Sequence, residues 1–196
     1  MVTNYAQWVD VLRHRLPEET AGQHIVRLVQ GCAGISLKHE PERLADLFLC
    51  NETEQRAALI SEFKTNCATI VREFYCLAGC DHEFVICPYV VEMAMTWVLT
   101  AAADRKALRE HPSAFDAGPG WVLWYGTPGK NDDHLEVCLE VPDPESAVAW
   151  HGGGGRTDNA ITLQFTSILT SRGRPLRGMI DPEAMCTNPA TGDNPY

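Results

Sequence analysis

Residues 64–80 read Lys-Thr-Asn-Cys-Ala-Thr-Ile-Val-Arg-Glu-Phe-Tyr-Cys-Leu-Ala-Gly-Cys, and this pattern predicts a helix with a cysteine at its mouth. Asn66 suits the N-cap, which makes Cys67 the first helical residue. Ile70, Val71, Phe74, Leu77 and Ala78 recur at helical spacing and form one apolar face. Gly79 suits the C′ stop. The helix is expected to be buried along one side. Its unpaired N–H groups and its dipole favour an anion at the start, so the Cys67 thiol is expected to ionise readily. A cysteine placed this way is a candidate nucleophile. The competing reading is a structural cysteine, because free Cys is among the most buried residue types.

Upstream, the periodicity predicts further helices. Residues 4–16 place Tyr5, Trp8, Val9, Leu12 and Leu16 on one face, and Pro17 ends that pattern. A second helix is expected from Glu18 to Gln30, closed by Gly31. Pro41 opens a third through Leu49, and Asn51 or Thr53 caps a fourth that carries Ala57, Leu59, Ile60 and Phe63. Downstream, Asp81, His82 and Pro88 mark a loop, and Val90 to Arg109 reads as one long helix. From Trp121 the period becomes two. Strands are expected over Trp121–Tyr125, His134–Val141, Ala147–Trp150 and Ala160–Thr166, with polar turns between them. His151 and the glycine run Gly152–Gly155 follow the third of these. Pro182 to Met185 fits one helical turn, and residues 187–196 read as a frayed tail. Helices first and an antiparallel sheet after them is the α+β pattern.

Composition narrows the function. The chain has 196 residues, 45% hydrophobic and 21% charged, the profile of an ordinary globular domain. Its net charge of −10 argues against nucleic acid and anionic membrane surfaces as partners, since both need a basic face. No apolar stretch approaches a membrane span. The N-terminal residues lack a secretory h-region, so the eight cysteines are expected to be reduced thiols of a protein that is cytoplasmic as synthesised.

A catalytic cysteine needs a base within hydrogen-bond reach and a third group to orient that base. Of seven histidines, His134 and His151 stand at predicted strand edges, rigid places from which to aim an imidazole at a helix mouth. In chain order the elements are Asn66-Cys67-Ala68-Thr69-Ile70-Val71-Arg72, then Asp133-His134-Leu135-Glu136-Val137, then Trp150-His151-Gly152-Gly153. Over residues 20–170 this order resembles the NlpC/P60 and CHAP-type cysteine peptidases, papain-like cell-wall amidases and endopeptidases. The resemblance implies a single papain-like α+β domain over residues 1–186, with a helical part to residue 63. It implies Cys67 as nucleophile, His134 as general base and then acid, and His151 as the group that orients His134. It also implies a peptide or peptidoglycan substrate, reached through lysis or a signal-independent secretion route, and no cofactor. Asp158, Asn159 and Gln164 stand as alternatives for the third role.

Strand parity puts Glu136, Cys138 and Glu140 on the face of His134, which would turn a polar face towards the Cys67 helix. Glu136 then lines the substrate cleft, or a bulge re-aims the strand. Trp124 and Tyr125 are candidates to wall the cleft, and Gly152 and Gly153 would let a substrate backbone approach closely or form a mobile loop. The Asp132–Asp133 pair reads as a solvated turn. Cys76, Cys80, His82 and Cys87 supply enough ligands for tetrahedral zinc, but at no standard spacing. Cys32, Cys50, Cys138 and Cys186 read as packing residues or idle thiols. The second functional reading is a non-catalytic, cysteine-rich or zinc-binding interaction module of the same fold.

Overall fold

The computed structural model describes residues 5–36, 38–48, 67–79, 91–113, 116–153 and 160–187. Three helices come first: α1 (Tyr5–Arg13), α2 (Ala21–Gly31) and α3 (Pro41–Leu47). Helix α2 starts where Thr20 caps it, its hydroxyl accepting from Gln23 N–H while the Gln23 side chain accepts from Thr20 N–H. That reciprocal pair satisfies two N–H groups the helix cannot bond internally. Arg27, one turn before the end of α2, bonds Glu19 and the carbonyls of Val11 and His14, so it ties α1 and the turn after it to α2. The fourth expected helix, from Asn51 or Thr53 to Phe63, lies outside the described residues.

Helix α4 (Cys67–Leu77) starts at the expected cysteine. Asn66, its expected cap, lies outside the described residues. The helix stops as the glycine requires: Gly79 takes φ +100, a conformation that costs a residue with a Cβ. Every residue of α4 is buried, so it is not the one-sided helix that its apolar spacing predicts. It is wrapped by α2, by α5 (Val91–Asp104) and by the sheet. The two charged side chains this traps, Arg72 and Glu73, are bonded to each other, as buried charges must be.

Helix α5 is shorter than the expected Val90–Arg109. Lys106 turns back at φ +55, and β1 (Leu108–Glu110) leaves the helical path to pair with the last strand. The strands that follow are β2 (Val122–Tyr125), β3 (His134–Asp143), β4 (Val148–Gly153), β5 (Thr162–Ser167), β6 (Thr170–Ser171) and β7 (Arg174–Ile180), and α6 (Pro182–Thr187) closes the described chain. All ladders are antiparallel, in the order β1-β7-β2-β3-β4-β5, with β6 on β7. The architecture is α+β with an open antiparallel sheet. Strand β7 was invisible to the period-two pattern, because Arg-Pro-Leu-Arg-Gly-Met-Ile mixes Pro, Gly and two arginines into a central strand.

Both faces of the sheet are covered. Val122, Trp124, Leu135, Val137, Leu139 and Ile180 join the helices in the larger core. Leu123, Tyr125, Cys138, Ala149, Ile168 and Met179 form a second cluster behind the sheet. Val141 packs with that second cluster and not with Leu139 as alternation predicts, because the β3–β4 register shifts beyond Cys138 and undoes the alternation. Among the described residues no helix is long and apolar enough to cross a membrane.

Candidate active site

The first turn of α4 meets the first residues of β3. Leu135 N–H donates to Cys67 Sγ at 3.4 Å. Register explains why this donor is available. Cys138 N–H points to the β2 side, where it bonds Trp121 O. Leu135 has the opposite parity, so its N–H points to the β4 side, beyond the last pair of that ladder, Val137 with Gly152. The sulfur therefore meets β3 at the edge left by β4, not across the face of the sheet. This resolves the parity conflict in the sequence: the helix layer rests on Leu135 and Val137, while the polar side chains of β3 serve the site from the other side.

His134, at the head of β3, is the imidazole close enough to Cys67 for each to shift the other's ionisation. Its Nε2 bonds Glu136 Oε1 at 2.9 Å, which leaves Nδ1 for the sulfur. Glu136 is 3% exposed, so it does not line a cleft; it lies beneath His134 as its acceptor. Three more donors converge on its carboxylate. Ser171 Oγ bonds Oε1 at 2.9 Å, Gln164 Nε2 bonds Oε2 at 3.0 Å, and His151 Nδ1 bonds the same Oε2. These donors come from β6, β5 and β4. His151 thus does not touch His134 as the sequence suggested; it holds the carboxylate that holds His134. Its ring is fully buried, and its Nε2 has no partner among the described residues.

The electrostatics follow this geometry. Burial alone would raise the Cys67 thiol, but the hydrogen bond and charge of His134, with the N–H groups of Leu135 and Ala68, bring it below its ordinary value. Burial alone would lower His134, but Cys67 and Glu136 raise it above the ordinary value. Burial would also raise the Glu136 carboxyl, and the hydrogen bonds from His134 and His151 outweigh it, holding the group well below the carboxylate range. The other described free thiols behave oppositely. Burial pushes Cys32, Cys76 and Cys138 up to about 12.

The remaining expected site residues fall as follows. Trp124 is nearly buried on the helix side, its Nε1 bonded to Asp133 Oδ1 at 2.9 Å. Tyr125 does not wall a cleft: it is fully buried in the cluster behind the sheet, its hydroxyl bonded to Ile168 O at 3.0 Å. Gly152 and Gly153 are buried strand residues of β4, not a mobile loop. A Cβ on Gly152 would sit 2.6 Å from Thr162 O, so glycine there serves the approach of β5. The Asp132–Asp133 pair is not merely solvated. Asp132 accepts from Thr127 N and Oγ1 at 2.8 Å, and Asp133 accepts from Trp124 and Arg177. Together they lock the turn that launches His134. Asp158 and Asn159 lie outside the described residues, and Gln164 serves Glu136.

Of the zinc set, Cys80, His82 and Cys87 lie outside the described residues, and Cys76 is a buried thiol of α4. Among the described residues no group of three or more His, Cys, Asp or Glu side chains is arranged so that it could hold a metal ion. Cys186 is neither an idle thiol nor a packing residue alone, because it is disulfide-bonded. No family model, curated protein or solved structure matches this chain.

Proposed function

We propose that this chain is a cysteine-dependent amide hydrolase of papain-like kind, with Cys67, His134 and Glu136 as nucleophile, base and orienting acid. The observation that carries the reading is the placing of His134 beside Cys67 and its 2.9 Å bond to the buried carboxylate of Glu136. A nucleophile, a base and a base-orienting group in mutual contact are what acyl transfer by a thiol needs. The resemblance to NlpC/P60 and CHAP-type enzymes supports a peptide or peptidoglycan amide as the substrate.

The chemistry runs in two halves. The Cys67 thiolate attacks the amide carbonyl, a C–S bond forms, and the carbonyl electrons move to oxygen. The N–H of Cys67, at the helix start where the helical ladder supplies no acceptor, is the candidate donor to that oxyanion. The C–N bond then breaks as protonated His134 gives its proton to the leaving amine. In the second half a water loses a proton to His134 and attacks the thioester. The C–S bond breaks, releasing a carboxylic acid product and restoring the thiolate. Glu136 keeps the ring of His134 aimed throughout and stabilises its charged form. A disulfide at Cys186 supports an oxidising working compartment, consistent with a cell-wall substrate.

The near-complete burial of Cys67, 7% exposed, favours the second reading, a non-catalytic interaction module. One experiment separates the two: iodoacetamide labelling across pH, with the labelled cysteine mapped by mass spectrometry. The hydrolase reading expects Cys67 to label ahead of the other described thiols, with a midpoint below the ordinary thiol value of about 8.5. It also expects purified peptidoglycan, or peptides from it, to release new amines with the native protein and none with Cys67→Ala. Slow, uniform labelling together with no amine release would sink it.

A further inference from the structure

We propose that Arg177 binds a carboxylate of the substrate, two or three residues from the amide that Cys67 attacks; this rests on the hydrolase reading above. The backbone singles Arg177 out. Trp124 pairs with Gly178 and Tyr125 pairs with Leu176, so Arg177 is the extra residue of a bulge in β7. A bulge breaks sheet alternation and re-aims one side chain. Here it sends the guanidinium over the Trp124 ring, 4.3 Å from the centroid.

The guanidinium is held but not used up. Nη1 reaches Asp133 Oδ1 at a long 3.4 Å, while Trp124 Nε1 takes the same oxygen at 2.9 Å. The rest of its five-donor fork bonds none of the described residues, and the side chain is 33% exposed. A ring beneath and one tether at a corner restrict the cation while leaving donors free, the preorganisation that recognition of a carboxylate needs. The net charge of −10 repels an acidic ligand at long range, so such a ligand needs a dedicated local cation.

Register also sets the reach. Leu135, whose N–H holds Cys67 Sγ, pairs with Trp124, and Trp124 pairs with Gly178. Two strand steps of about 4.8 Å place the bulge backbone about 10 Å from β3. The sulfur lies a little beyond, on the β4 side of β3, while the guanidinium leans back over Trp124 to Asp133, next to the head of β3. An extended substrate covers about 10 Å in about three residues, at roughly 3.3 Å each.

The test needs no known substrate. The alkylating probes are iodoacetyl-γ-aminobutyric acid and its uncharged amide, which react with the thiolate and project a tail towards β7. The readout is the acid-to-amide rate ratio at Cys67, divided by the same ratio for N-acetylcysteine amide in solution. In the native protein this normalised ratio is expected on the order of tenfold, the size of one charge-assisted hydrogen-bonded pair. It should fall to about one in Arg177→Gln, stay partly raised in Arg177→Lys, and shrink in high salt. A ratio near one in the native protein overturns the inference, as does a ratio that Arg177→Gln leaves unchanged while thermal unfolding shows the variant folded. If Cys67 reacts quickly with the amide probe but shows no acid preference, only this inference fails. If Cys67 reacts no faster than the other thiols with either probe, the hydrolase reading fails and takes the inference with it.

Discussion

Glu136 shows how one residue can govern the behaviour of another. Four donors on its carboxylate, from His134, His151, Gln164 and Ser171, keep it ionised in a site where burial opposes charge. Its charge in turn favours the imidazolium of His134, and His134 favours the thiolate of Cys67. Glu136→Gln keeps the shape and removes the charge. The expected outcome is a loss of roughly 10²- to 10⁴-fold in kcat/KM. A rise of the Cys67 alkylation midpoint towards about 8.5 should accompany it. The signs of the pH dependence differ between partners. Glu136 is depressed on folding, so its stabilisation is complete above its unfolded value of about 4.3 and is lost as pH falls below that. The stability gap between the native protein and Glu136→Gln should therefore shrink in acid unfolding experiments below about pH 4. His134 is raised on folding, so its contribution is complete below about 6.5 and fades as pH rises through the folded value. The lowering of the thiol and the raising of the imidazole both favour the thiolate–imidazolium pair over the neutral pair. A bell-shaped rate profile, with the thiol and the imidazole as its two limbs, is the measurement that checks it.

At the scale of elements, the site depends on joints the sequence marks only with glycines. Gly120 has φ +82, and a Cβ there would collide with the backbone of Gly22 in α2. Gly22 in turn lies against Pro119 O and bonds Glu183 of α6 through its own N–H. Two backbones in contact have no side chain to move aside. Gly120→Ala combines overpacking with a strained backbone, so its cost is expected at about 2–4 kcal/mol. In a chain of this size each kcal/mol lowers Tm by roughly 2–4 °C, which calorimetry reads directly. An unchanged Tm would mean that the loop before β2 and helix α2 do not share this contact. The helix starts of α3 and α4 and the strands β2 to β5 were readable from periodicity and punctuation, whereas α2 starts at Ala21 after the Thr20 cap and not at Glu18. Strand β7 was not, and neither was the end of α5, because β1 and β7 form by pairing with each other and not from their own patterns.

At the scale of the whole molecule, a small helix closes the structure. Helix α6 packs on both α2 and α4, and its Cys186 is disulfide-bonded. Denatured but unreduced protein should therefore titrate at most six of its eight cysteines, the bonded pair being silent. Cys186→Ser, or a reductant, should cost about 2–4 kcal/mol of stability, read as a lower midpoint in urea. Eight free thiols in the unreduced protein would contradict this. The expectation that all eight cysteines are reduced is corrected at Cys186, which is disulfide-bonded.

The sequence by itself determined the α+β layout, the cysteine at the head of a buried helix and the histidine at the head of a strand. Those features rest on short-range physics: periodicity, capping and turn residues act within a few positions of one another. Only the tertiary structure decided that Glu136 orients His134, that His151 stands behind Glu136, and that Arg177 turns out of its strand. Each of these depends on register between strands far apart in the chain. A one-residue slip in pairing moves every side chain to the opposite face, and no local pattern in the sequence specifies which strand lies beside which.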